Sequence, residues 1–327
     1  MKIAFVGKGG SGKTTLASLF ISYLVDEGRP VLALDADINQ HLGQALGLDA
    51  ESAAALPALG SRLDLIKEYL RGENPRIATG SIVKTTPPGA GSQLLTITED
   101  NPVYAACVRV INGARLAVTG PLAEADLGVA CYHSRVGAVE LILNHLVDGP
   151  GEYAVVDMTA GADSFASGLF TRFDVTFLVC EPTLRSVGVY RQYVDHASAY
   201  GVRVAVLGNK IADEDDLRFL RDQVGDHLLT WIGRSDHVRA AERGDVQPIS
   251  RLEEPNRASL AAMREIVDAT AKDWSTFQRH AVEFHLRNAK AWANQRAGTD
   301  LAEQVDPDFV HGPDALPRRG VSPVPRP

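Results

Sequence analysis

Residues Gly7-Lys8-Gly9-Gly10-Ser11-Gly12-Lys13-Thr14-Thr15 follow the apolar run Lys2-Ile3-Ala4-Phe5-Val6 and open a helical stretch. A strand, a glycine-rich turn and a free helix N-terminus in that order aim backbone N–H groups at phosphate oxygens. Gly9, Gly10, Ser11, Gly12 and Thr15 supply the cradle, Lys13 reaches the β and γ phosphates, and the Thr14 hydroxyl can ligate Mg²⁺. The same residues also satisfy G-x-G-x-x-G through Gly7, Gly9 and Gly12, and Asp35 ends the next apolar run about where a dinucleotide fold wants its ribose-binding acid. A Rossmann-type oxidoreductase is therefore the rival reading. Such a loop has no use for Gly12-Lys13-Thr14-Thr15, because a buried ammonium and a metal-binding hydroxyl suit a triphosphate with Mg²⁺.

The chain has 327 residues, 45% of them hydrophobic, enough for a substantial α/β core with appendages. Its apolar runs, such as Val175-Thr176-Phe177-Leu178-Val179-Cys180, are far shorter than the roughly 20 residues of a membrane span. The N-terminus enters a strand with no signal-peptide pattern. Cys107, Cys131 and Cys180 are too scattered for a disulfide framework. Together these features predict a cytoplasmic protein without a transmembrane segment. A net charge of −8 argues against a broad, sequence-independent DNA-binding surface, which would need many Lys and Arg against phosphates.

Short β-rich runs alternate with helical patterns, which predicts a doubly wound α/β fold with a mostly parallel sheet covered on both faces. Strands are placed near 2–7, 30–35, 114–119, 153–158, 175–180, 203–208 and 228–232. Helices are placed near 13–27, 136–147, 186–199, 215–223, 235–243 and 257–295. The irregular stretch 49–112, with a helix near 63–70 and a strand at 93–98, reads as an insertion over the nucleotide edge of the sheet. Leu260, Met263, Val267, Thr270, Trp274, Phe277, Ala281 and Phe284 form one apolar stripe along a long C-terminal helix. The division is thus a nucleotide-binding domain over 1–255, a helical segment over 256–297, and a proline-rich disordered tail over 298–327.

With Lys8 at the start of the loop, the motif resembles the deviant Walker A form KGGxGK[ST]T, the mark of the ParA, MinD, nitrogenase iron protein and ArsA class of P-loop ATPases. The resemblance covers roughly 1–250 outside the insertion. It implies ATP/ADP and Mg²⁺ as ligands and a homodimer with nucleotide at the interface, where Lys8 touches the partner's nucleotide. Asp37, in Asp35-Ala36-Asp37, falls where the class keeps the aspartate that orients or activates the attacking water. Asp35 either holds the metal's water shell or caps the following turn. Tyr153-Ala154-Val155-Val156-Asp157 is an apolar strand ending in an acid, the Walker B arrangement, with Asp157 on Mg²⁺. Asn209, in Gly208-Asn209-Lys210, resembles the adenine-contacting Asn-Lys of the class, and its amide can donate to and accept from a purine edge. Arg234 and Asp236 fall in a loop similar to the one that closes over adenine.

Asp157-Met158-Thr159-Ala160-Gly161, Glu181-Pro182-Thr183 and Ala36-Asp37-Ile38-Asn39 look like the CooC subgroup, ATPases that insert nickel into carbon monoxide dehydrogenase. Where those relatives carry Cys-x-Cys, this chain has Cys131-Tyr132-His133. Two copies would present two thiolates and two imidazoles, a set for Zn²⁺ or another soft divalent ion such as Ni²⁺. The other reading is a buried cysteine beside an unrelated histidine.

The expected function is a slow Mg²⁺-dependent ATPase switch whose loops at 37–41 and 157–163 respond to the γ-phosphate and control a client protein or a bound metal. A positioning or regulatory ATPase of the ParA/MinD type is the alternative output.

Overall fold

The computed structural model describes residues 1–37, 39–121, 133–160, 165 and 168–316. Eight described strands form one sheet: β1 (Lys2–Gly7), β2 (Val31–Ala36), β3 (Arg109–Ile111), β4 (Ala114–Val118), β5 (Tyr153–Met158), β6 (Val175–Cys180), β7 (Val204–Ile211) and β8 (Leu228–Gly233), in the order β3-β4-β2-β5-β1-β6-β7-β8. All pairings are parallel except β3 with β4, joined by a tight turn with positive φ at Asn112 and Gly113.

The helices are α1 (Lys13–Asp26), α2 (Leu42–Ala45), α3 (Ala50–Ala54), α4 (Leu63–Arg71), α5 (Pro102–Cys107), α6 (His133–His145), α7 (Leu184–Ser198), α8 (Glu214–Val224), α9 (Asp236–Ala241), α10 (Glu254–Asp268), α11 (Trp274–Asn288) and α12 (Asn294–Ala297). Alternation along β1 shows why both sheet faces are covered. Ala4 and Val6 enter one core with α6, α7 and α8, while Ile3 and Phe5 enter the other with α1 and α10. In the second core the rings of Phe5, Phe20 and Phe177 meet at centroid distances of 5.4 to 6.0 Å.

The doubly wound α/β fold is as expected, and four local readings are corrected. The helix placed at 257–295 is interrupted between α10 and α11, where Lys272 reaches Asp148 at 2.8 Å and Asp174 at 2.7 Å, and Asp273 caps a new helix by accepting from Thr276 N. A π-helical turn, Ala289–Ala293, then leads into α12.

Residues 298–316 are packed rather than loose. Leu301, Gln304 and His311 are buried, and the His311 ring stacks on Trp274 at 4.9 Å. Proline content misled here because a few anchoring side chains outweigh composition; 317–327 lie outside the described residues.

Residues 49–112 do not all lie over the nucleotide edge: Ala58 bridges Val118 and Gly60 N donates to the Thr119 carbonyl at the C-terminal end of the sheet, but much of the segment packs elsewhere. Leu59, Ile66 and Leu70 pack into the core beside α6, because their apolar positions have no other surface to bury. The strand placed at 93–98 reduces to a single bridge between Leu95 and Leu146.

At the opposite edge of the sheet, the Met1 amine, Lys2 and Lys272 converge on Asp148 at 2.7 to 2.8 Å, under the rings of Trp274 and Phe277. This cluster ties the first residues to α11.

Candidate functional site

β1 is the central strand of the parallel run, and the loop after it emerges at the C-terminal edge of the sheet, where open α/β folds place ligands. Two glycines are there for steric reasons. Gly12 has φ +96°, and a Cβ on it would lie 2.1 Å from Asn209 Nδ2; one on Gly7 would lie 2.6 Å from the Val179 carbonyl oxygen. The loop is held from below, since Asn209 Nδ2 donates to the Ser11 carbonyl at 2.7 Å and Lys210 Nζ to the Gly10 carbonyl at 2.7 Å. Gly12, left-handed, precedes α1 without a side-chain cap, so the first N–H groups of that helix are free for an anion.

A cleft of about 850 Å³ opens over this edge. Its lining includes Gly9, Gly10, Gly12, Lys13, Thr14 and Thr15 from the loop, Asp37, Asn209 and Lys210 from the strand ends, and Arg234 after β8. That volume lies within the range of about 300–1,000 Å³ usual for small-ligand sites.

Beside the cleft, Thr14 Oγ1 donates to Asp157 Oδ2 at 2.6 Å, while Asp157 Oδ1 is buried and has no partner among the described residues. Asp35 and Asp157 are register partners on β2 and β5. Burial, and next the Asp35 carboxyl, push Asp157 up to about 8, and burial pushes Asp35 up to about 7. Burial likewise lowers Lys13. An orphaned carboxylate oxygen beside a threonine hydroxyl fits a hard divalent cation, which would relieve the crowding of acids.

Most of the expected site residues meet here. Asp37 lines the cleft, with its Oδ1 accepting from Asn39 N and Nδ2 at 3.0 Å each. Asp35 takes the capping alternative: its two oxygens accept backbone N–H groups of Asp37 and Leu42 at 3.1 and 3.0 Å. Ser11 is buried beneath the loop rather than lining the cleft. Lys8 also stands off the lining, paired with Glu181 at 2.9 Å.

Asp236 is corrected. Its carboxylate is 96% exposed and outside the cleft, because as the first residue of α9 it turns to solvent while Ser235 lines the site and caps the helix. Cys131 and the His133 side chain lie outside the described residues. Sequence reasoning missed His41, Arg239 and Glu242 as lining residues. For the last two, the signal was their spacing of three on the helix after β8.

The family model for the CobQ/CobB/MinD/ParA nucleotide binding domain matches residues 3–249. The carbon monoxide dehydrogenase accessory protein CooC of Rhodospirillum rubrum is 30% identical over 277 residues, 83% of this chain and 98% of that protein. An uncharacterized ATP-binding protein of Methanocaldococcus jannaschii is 29% identical over 246 residues, 74% of this chain and 88% of its own. Among solved structures, a ParA family ATPase from Chlorobium tepidum aligns with a TM-score of 0.55 at 16% identity, covering 80% of this chain and 97% of that one. MinD from Pyrococcus horikoshii, solved with Mg-ADP, aligns at 0.53 and 16% identity, covering 83% and 99%. The structural likeness carries the fold, and the sequence match carries the family: this chain belongs to the CobQ/CobB/MinD/ParA nucleotide-binding family.

Proposed function

We propose that the protein is an Mg²⁺-dependent ATPase switch that closes as a homodimer around ATP, reopens on hydrolysis, and controls the maturation of a metal centre in a client. The observation that carries the reading is the Thr14–Asp157 hydrogen bond beneath the loop, with one carboxylate oxygen left unpaired. The loop amides and Lys13 bind the phosphates. Thr14 and Asp157 would hold Mg²⁺, which neutralises developing charge on the phosphates when bound. Asp37 orients or activates the attacking water. Asn209, its Nδ2 already given to Ser11, offers Oδ1 to the purine amino group. Lys8 reaches across the seam to the facing nucleotide.

The metal-centre output is supported by the match to CooC over nearly its whole length. A positioning or regulatory ATPase is the second reading, favoured by Leu286 and Trp292, exposed on the C-terminal helical segment where a partner could dock. The family match leaves the Rossmann oxidoreductase without support. Lys13→Ala is expected to abolish nucleotide binding or hydrolysis, whereas Asp37→Ala retains ATP and traps the closed dimer. Hydrolysis by Asp37→Ala at the wild-type rate contradicts the role given to that carboxylate.

A further inference from the structure

Glu181 stands just past the end of β6 and holds two ammonium groups at once. Lys8 Nζ approaches its Oε2 at 2.9 Å and Lys210 Nζ its Oε1 at 2.6 Å. Both lysines belong to the phosphate loop, Lys8 by sequence and Lys210 through its bond to the Gly10 carbonyl.

The carboxylate is a fixed post. Its side chain is 12% exposed, its own N–H donates to Ser186 Oγ at 3.1 Å, and Thr183 caps α7 immediately behind it. Lys210 is also constrained, with φ +60° where the β7–β8 register shifts between Asn209 and Ile211. A left-handed backbone at a non-glycine residue is unfavourable and is kept where surrounding contacts fix it. Lys8, at the start of the loop, is held less: among the described residues its Nζ bonds Glu181 alone, whereas Lys210 Nζ also bonds the Gly10 carbonyl.

We infer that Glu181 is a positioning residue that parks Lys8 against its own subunit, so that closure of the dimer requires the Lys8–Glu181 pair to be broken. The inference rests on the proposed closed dimer and on Lys8 as its seam cation. Lys8 is held at 2.9 Å by a carboxylate of its own subunit, and turning its Nζ outward to a nucleotide on a facing subunit draws it out of that contact. A triphosphate outbids one carboxylate for that charge by carrying more negative charge. Glu181 therefore sets how much triphosphate occupancy is needed before two subunits close, and Lys210, on the other carboxylate oxygen, helps to hold it in place.

The test is a double-mutant cycle on the full chain. The dimer dissociation constant is measured by sedimentation equilibrium in saturating Mg·AMPPNP, for wild type, Glu181→Gln, Lys8→Met and the double variant. Each closure breaks one partly exposed pair per subunit, so Glu181→Gln is expected to tighten the dimer by about threefold per subunit and about tenfold overall. In the Lys8→Met background the same change is expected to have less than about a twofold effect. Glu181→Asp, which keeps the charge on a shorter arm, falls between wild type and Glu181→Gln. A Glu181→Gln dimer that is unchanged or weaker overturns the inference, as does equal tightening in the Lys8→Met background. If Lys8→Met alone dimerises as wild type does, the seam role of Lys8 fails, and that result is distinct from failure of the parking role.

Discussion

Thr14 and Asp157, 143 residues apart, meet through a 2.6 Å hydrogen bond that leaves one Asp157 oxygen buried and unpaired. The fold thus keeps an acid whose ionisation burial and the neighbouring Asp35 oppose, an arrangement that fits the proposed Mg²⁺ site.

Asp157→Asn is expected to stabilise the nucleotide-free protein by about 1–2 kcal/mol, since it removes a group crowded by burial and by Asp35. It should also abolish any gain in nucleotide affinity on adding Mg²⁺. Thermal melts, with titration calorimetry in Mg²⁺ and in EDTA, check both; a less stable variant that still responds to Mg²⁺ contradicts this account of the carboxylate.

Gly12→Ala combines a positive φ with a Cβ only 2.1 Å from Asn209 Nδ2. The expected cost is at least about 2 kcal/mol, and nucleotide binding is lost with the loop geometry. Asn209→Gly in the same chain relieves the clash but not the backbone strain, so binding returns at most in part. Full recovery of Mg·ADP binding in that double variant is the contradicting outcome.

Asp148 is the acceptor for the Met1 amine, Lys2 and Lys272, and those cations hold it well below the usual carboxylate range, against the opposing effect of burial. Asp148→Asn leaves these buried cations short of a counter-charge and is expected to cost about 3–5 kcal/mol in urea denaturation. A loss under about 1 kcal/mol would mean that the link between the N-terminus and α11 contributes little.

Burial lowers His145 to about 4 and His311 to about 3, from 6.5 in the unfolded chain. Because the folded values are depressed, the unfolded chain takes up protons that the folded chain refuses once pH falls below 6.5. Stability from these rings is therefore present above that pH and is lost toward pH 4, at up to about 1.4 kcal/mol per pH unit for each. His311→Phe keeps an aromatic ring against Trp274 and is expected to make the slope shallower by about that amount between about pH 6 and pH 4.5. An unchanged slope in urea titrations contradicts a buried neutral His311.

The phosphate loop, the mostly parallel sheet around it and the acids at the ends of β2 and β5 were legible in sequence because each follows from local chemistry: glycine where φ is positive, an apolar run ending in a carboxylate, an Asn-Lys pair at a strand end. The misreadings came from long-range partners. Lys272 could not be seen to need Asp148 and Asp174, so the break between α10 and α11 was read through as one helix. His311 and Gln304 could not be seen to lock the proline-rich stretch onto Trp274, Thr86 and Ser81. Glu181 was noticed as part of a motif, but its grip on Lys8 and Lys210 depends on three chain segments meeting in space.

The most direct measurement is the solution mass of the full chain without nucleotide, with Mg·ADP and with Mg·ATP, repeated on Asp37→Ala. The account expects a monomer in the first two conditions and a dimer with Mg·ATP that persists in Asp37→Ala. A monomer in every condition, with no heat on titrating Mg·ATP, contradicts it.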